Sequence, residues 1–229
     1  MNKKVLIGLD LSFNSTGLTI TYLEDDKPQI IQFHRIVYDD GTNKTGKILT
    51  PREIKNINQV VYRMPTNISV DDIILDSNDK NNQEQIHTTL RAMICSKKIN
   101  KILARVLTRF NPDTVICTME NYIMPSFGGP NKLKTVSGLI LLQGFVRDFI
   151  IRWKLTNPDA DMFLYTPSPT QNKKAFCGDG KAEKHDMIEA FKTLYNGDKL
   201  LPNLQAGKVD DVIDSFSLMI HGYRIYLKI

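Results

Sequence analysis

The sequence predicts an α/β fold in which a mixed central sheet is flanked by helices. Three observations carry that expectation. The chain opens with apolar, β-branched runs separated by short polar turns, the mark of an antiparallel meander. From residue 83 onward, apolar residues recur at helical spacing in several segments. Between those segments lie two short continuous apolar runs, of the kind a buried strand presents.

Taken in order, residues 3–10 read as a buried strand, followed by a turn through 12–17. Strands at 18–23 and 29–37 come next, joined by Asp25-Asp26-Lys27-Pro28. Residues 38–82 are polar and rich in Asn, Asp and Lys, with a short apolar island at 68–75. A connection of that length is uncommon within a compact domain, so it is expected to be an insertion in a single domain spanning 1–229. Ile86, Leu90, Met93, Ile94, Ile99, Ile102, Leu103, Val106 and Leu107 predict a helix over 83–110. Pro112-Asp113 ends it, and 114–120 forms the next strand. A Gly-, Pro- and Lys-rich loop at 125–134 leads into a helix over 135–155. A strand at 162–165 is closed by Pro167 and Pro169, and helices at 184–195 and 210–227 finish the chain.

Composition narrows the class. A hydrophobic content of 41% and a charged content of 24% are ordinary for a globular chain, which sets aside fibrous and disordered classes. The net charge of +5 is compatible with a polyanionic partner. Cys95, Cys117 and Cys177 are widely spaced and odd in number, so neither a disulfide framework nor a CxxC metal site is expected. An intracellular, cytoplasmic setting follows, and the N-terminus has no signal-peptide pattern. The longest apolar stretch, 136–153, is interrupted by Gln143, Arg147, Asp148 and Arg152, so it is expected to be a buried helix, with no membrane association.

Four carboxylates stand in informative places. Asp10 ends the first apolar run and Glu120 ends the run 115–119. In an α/β sheet, residues at the C-terminal ends of adjacent parallel strands converge on one crevice. Asp211 and Asp214 lie one turn apart on the last helix, beside the apolar stripe Val209, Val212, Ile213, Phe216, Met219, Ile220 and Tyr223. Asp210 shares their face and is also a natural N-cap. Singly, each acid is equally a solvated turn or capping residue. Brought together they repel, and such a cluster calls for cations. Hard oxygen ligands suit Mg²⁺, and paired ions in carboxylate sites hydrolyse phosphodiesters.

Two segments add positive charge. Residues 172–184 combine Gly178 and Gly180 with Lys173, Lys174, Lys181 and Lys184, reading as a basic loop before a helix without P-loop spacing. After Glu120, Tyr122, Phe127, Lys132 and Lys134 interleave aromatics with lysines, a pattern able to stack on bases while neutralising a backbone. His34, His87, His185 and His221 form no ligand set or catalytic triad in sequence.

The order of these motifs is specific. Gly-Leu-Asp-Leu-Ser at 8–12, Met-Glu-Asn at 119–121, Gly-Asp-Gly-Lys-Ala-Glu-Lys at 178–184 and Asp-Asp-Val-Ile-Asp-Ser-Phe at 210–216 together resemble RuvC-type Holliday junction resolvases. That family is a branch of the RNase H-like superfamily, and the resemblance covers most of the chain outside 38–82. The last stretch looks most like phage and poxvirus members; abundant Asn, Lys and Ile suit an AT-rich, viral genome, and a viral source would place the chain in the host cytoplasm. The resemblance implies a homodimer that cuts four-way and other branched DNA at symmetric positions. It implies two Mg²⁺ ions per site, with Mn²⁺ able to substitute. By motif, Asp10, Glu120, Asp211 and Asp214 are the metal-binding carboxylates and Lys184 the active-site lysine. Lys173 matches a basic companion near the scissile strand, and Lys174, Lys181, Tyr122, Phe127, Lys132 and Lys134 are expected to contact DNA.

Departures from the family pattern are the long 38–82 segment and the residue that wedges the junction. Ile123 occupies the nearest position to that aromatic, leaving Tyr122 or Phe127 to substitute. Three other readings stand beside this one: a nuclease of the same fold acting on flaps, forks, other branched DNA or RNA in a hybrid; an actin- or sugar-kinase-like ATPase; and a non-catalytic DNA-binding module whose acids need not bind metal. The ATPase requires a further Asp-x-Gly-x-Thr loop that the sequence lacks.

Overall fold

The computed structural model describes residues 2–39, 52–56, 59–65, 80–121, 130–201 and 209–228, with side chains described for 2–37, 84–121, 136–201 and 209–228. The strands are β1 (Lys3–Asp10), β2 (Ser15–Glu24), β3 (Lys27–Asp39), β4 (Arg52–Asn56), β5 (Gln59–Pro65), β6 (Thr114–Met119) and β7 (Asp161–Tyr165). The helices are α1 (Lys80–Phe110), α2 (Pro130–Thr156), α3 (Pro169–Cys177), α4 (Lys184–Tyr195), α5 (Gly197–Leu200) and α6 (Asp210–Leu227).

The strands form one mixed sheet in the order β4-β5-β3-β2-β1-β6-β7. β1, β2 and β3 make the expected antiparallel meander, and β6 lies parallel to β1, with β7 parallel to β6. The expectation of a mixed sheet flanked by helices therefore holds. Residues 52–56 and 59–65, within the stretch read as an insertion, pair with each other and add to the β3 edge.

Alternation along β1 assigns the two faces of the sheet. Val5, Ile7 and Leu9 pack with α1 and α2, joined by Leu18 and Ile20 of β2 and Val115, Cys117 and Met119 of β6. Leu6, Phe33 and Ile116 point the other way, into a second cluster with α3, α4 and α6 built around Phe176, Phe191 and Phe216. Because the side-chain period is two, Gly8 and Asp10 belong to the α6 face with Leu6. No described helix is long and apolar enough to cross a membrane.

Two of the differences from expectation bear on the site. The basic loop expected from residue 172 is in its first part a helix, α3. Ser168 and Gln171 form a reciprocal capping box, Pro169 occupies the first turn, and Gly178 closes the helix at φ 87°. Lys173 and Lys174 therefore sit on a helix rather than on a loop. Likewise α2 begins at Pro130 instead of 135, since proline is tolerated where the amide has no helical partner. Lys132 and Lys134 thus fall in its first turns. Ser168→Ala removes the hydroxyl that accepts from Gln171 N. It is expected to cost about 1 kcal/mol of stability in urea denaturation, with an unchanged m-value.

Candidate active site

The site is built where β1 and β6 end. Their parallel register pairs Gly8 with Thr118 and Leu9 with Met119, and its next step sets Asp10 beside Glu120. Both acids belong to the α6 face of the sheet. Glu120 is further anchored from below, because the buried Gln143 side chain of α2 donates to its carbonyl oxygen at 2.7 Å.

Absent side chains bring α6 against this edge. A methyl on Gly8 would lie 1.9 Å from Ser215 O, and one on Gly17 would lie 1.8 Å from Asp211 O. A methyl on Gly222 of the helix would lie 1.8 Å from Thr118 Oγ1. These notches let helix backbone touch sheet backbone. Small polar residues of β2 line the seam: the Thr19 and Ser215 hydroxyls are 2.8 Å apart, and Thr21 Oγ1 donates to Met219 Sδ at 3.1 Å. The helix is thereby fixed with Asp211 and Asp214 facing the strand-end acids.

The electrostatics show that the acids share one field. Burial pushes the Asp10 carboxyl well above its usual range, and the charges of Asp214, Glu120 and Asp211 push it further. Asp214 is raised to about 6, by burial first and then by Glu120, Asp210 and Asp211. Glu120 is raised by burial and held down by Lys173. No described residue donates a hydrogen bond to the Asp10, Glu120 or Asp214 carboxylates.

The helical acids divide their partners. Asp211 Oδ2 accepts from Arg35 Nε at 3.0 Å and also from Ser15 Oγ. Asp210 Oδ2 accepts from Lys184 Nζ at 2.8 Å. Asp210 is therefore not the N-cap expected of it. Val209 holds that position, with no side-chain cap hydrogen bond, and Asp210, one residue on, instead ties Lys184 to the site. The Lys184 ammonium is raised chiefly by this bond, with contributions from Asp214 and Asp211, while most of its side chain remains open to solvent.

Clustered, part-buried carboxylates with raised proton affinity fit a hard divalent cation by the chemistry of their oxygens. They lie at electrostatic range of each other rather than as a closed ligand cage: among the described residues, no three His, Cys, Asp or Glu side chains are grouped closely enough to grip one ion. An ion bound here would relieve the repulsion that, after burial, raises Asp10 and Asp214.

The remaining expected residues are distributed unevenly. Lys173 on α3 is half-buried and acts on Glu120. Its helix is fastened to α6 by the buried Asn172, whose Nδ2 donates to Ser217 Oγ at 2.7 Å, three residues after Asp214. Lys174 and Lys181 are exposed nearby in sequence. Tyr122 and Phe127 lie outside the described residues, as do the side chains of Lys132 and Lys134. His34 is buried and neutral, lowered to about 4 by burial and by the charges of Lys98 and Arg105.

Ser15 and Arg35 were not anticipated. For Ser15 the trace in sequence is the run of small or hydroxylated residues at 15, 17 and 19, set against Leu18 and Ile20, which marks a strand face reserved for close backbone approach. Which residue of β3 meets Asp211 depends on register, and no local signal records it.

No family model matches the chain. It is similar to a crossover junction endodeoxyribonuclease RuvC of Alkaliphilus oremlandii, at 33% identity over 124 residues. That match takes in 54% of this chain and 63% of the relative, so the chain spans less than two thirds of the relative's length. Among solved structures it is similar to Thermus thermophilus RuvC, at TM-score 0.46 and 14% identity, over 98% of this chain and 96% of that one. The same protein in complex with a Holliday junction substrate gives TM-score 0.44 and 14% identity, over 96% and 93%. A yeast mitochondrial Holliday junction resolvase gives 0.45 and 12%, over 95% and 78%.

Proposed function

We propose that this chain is a metal-dependent endodeoxyribonuclease that resolves four-way DNA junctions by paired phosphodiester hydrolysis. The observation that carries the reading is the cluster of Asp10, Glu120, Asp211 and Asp214, buried enough to raise Asp10 and Asp214 and flanked by Lys173 and Lys184. The likeness to a crossover junction endodeoxyribonuclease supports the choice of substrate.

In this reading Asp10, Glu120, Asp211 and Asp214 hold two Mg²⁺ ions, with Mn²⁺ able to replace them. Such ions supply Lewis acidity toward phosphate oxygens and a low-pKa water. Lys184, steered by Asp210, offsets the negative charge that grows on the phosphorane-like transition state. Lys173 sits beside Glu120 to hold a non-bridging phosphate oxygen, while Lys174 and Lys181, with Tyr122, Phe127, Lys132 and Lys134, track the strand. The protein acts as a homodimer in the cytoplasm, since paired symmetric nicks need two sites. Exposed Ile140, Leu141, Ile151 and Leu155 form a stripe on α2 that suits a self-complementary contact. Residues 1–229 then form one nuclease domain, with 38–82 an insertion in it.

The test is a synthetic four-way junction incubated with the protein and Mg²⁺, beside a flap and an RNA–DNA hybrid. Paired nicks on the junction are expected, lost on adding EDTA and lost in Asp10→Asn, which still binds the junction. Equal cutting of flap and junction would move the substrate to branched DNA generally. Undiminished nicking by Asp10→Asn would remove the site.

A further inference from the structure

Asp10, Gly17 and Arg35 are register partners across β1, β2 and β3. All three therefore face α6. The missing side chain in the middle leaves a notch, and the first turn of α6 is seated in it at Asp211. Asp211 is thus bracketed, with a carboxylate on one side and a guanidinium on the other. Arg35 Nε donates to Oδ2 at 3.0 Å. Ser15, two residues before Gly17 on the same strand face, donates its hydroxyl to that same oxygen. Oδ1 receives no hydrogen bond from a described residue.

We infer that Arg35 and Ser15 are positioning residues that fix Asp211 by one carboxylate oxygen and present the other to a divalent cation shared with Asp10. The inference rests on the metal site proposed above. Two donors on one oxygen set both the direction and the rotation of the carboxylate, which one donor would leave free. The Arg35 side chain is 21% exposed and that of Asp211 25%, so the pair is largely withdrawn from water and is not a loose surface contact. A guanidinium suits this task because its planar fork holds a fixed direction, whereas an ammonium acts as a point charge. Ligands oriented by such outer partners typically lose about tenfold to a hundredfold in metal affinity or activity when the partner is removed.

The experiment is calorimetric titration of the metal-free protein with Mg²⁺ or Mn²⁺, run with thermal melting and with junction cleavage across a metal series. Arg35→Gln and Ser15→Ala are expected to weaken metal affinity by about tenfold to a hundredfold for the arginine and less for the serine. Cleavage should be regained as metal concentration rises, and junction binding in EDTA should be unchanged. Arg35→Lys should recover only part of the affinity. Unchanged metal affinity with a lowered melting temperature would overturn the inference, leaving the pair as a fastening of α6 to the sheet. Tighter metal binding in Arg35→Gln would also overturn it, making Arg35 a competitor of the ion. Ser15→Ala deletes a single oxygen atom and keeps the test open should Arg35→Gln fold poorly. If wild type binds no metal, or Asp10→Asn binds it as well as wild type does, the proposed metal site itself fails.

Discussion

Asp214→Asn is expected to lose cleavage and gain stability. Loss of a proposed metal ligand that shares one field with Glu120 and Asp10 should lower junction cleavage by about a thousandfold or more, equivalent to several kcal/mol of transition-state stabilisation. The gain comes from the metal-free protein. The Asp214 carboxyl ionises at about 6 when folded, against an ordinary 3.8, because it is buried among other acids. Between those values the folded chain holds a proton that the unfolded chain releases. The group's contribution therefore favours the folded state below about pH 4, declines as pH rises through 6, and is level above. At pH 7 ionised Asp214 costs on the order of 2–3 kcal/mol, which the asparagine avoids. For a chain of this length that corresponds to a melting temperature higher by roughly 4–12 °C. The difference between wild type and variant should shrink toward pH 4, and Mg²⁺ should raise the melting temperature of wild type more than that of the variant. A variant less stable than wild type at pH 7, or one with full nicking activity, would contradict the assignment.

Gly17→Ala is expected to damage stability and activity together. Its added methyl would stand 1.8 Å from Asp211 O, which is backbone and cannot swing aside. The first turn of α6 must lift, and overpacking of this kind costs about 1–3 kcal/mol, or roughly 2–12 °C in melting temperature. The lift carries Asp211 away from Asp10, and a misplacement near 1 Å can cost about a hundredfold in rate. Gly144→Ala is the control: its methyl would meet nothing within 4 Å on α2. That substitution should stabilise the helix by up to about 1 kcal/mol. Wild-type cleavage by Gly17→Ala would mean that the notch does not set the site.

Much of this arrangement was legible in the chain because it is local. The apolar runs at 3–10 and 114–120 and the stripe on 210–227 report burial directly, and strand alternation assigns Asp10 and Glu120 to their face. The α3 helix was missed although Ser168, Pro169 and Gln171 carry a capping-box signal, because the glycines and lysines after it dominated the segment. Asp210 was expected to be a cap, since an acid at a helix start satisfies free amides, yet Lys184 from another helix claims it. That competition involves residues 26 apart in the chain and has no local trace.

By itself, the sequence determined that acids stand at two strand ends and on one helix face, because periods of 2.0 and 3.6 residues are properties of the backbone. Only the tertiary structure decided that these acids share one field and how their partners are divided. Asp211 goes to Arg35 and Ser15, Asp210 to Lys184, and Asp10 with Asp214 is left to repel. The physical reason is strand register and glycine-permitted contact between helix and sheet, which place residues distant in sequence within hydrogen-bonding distance.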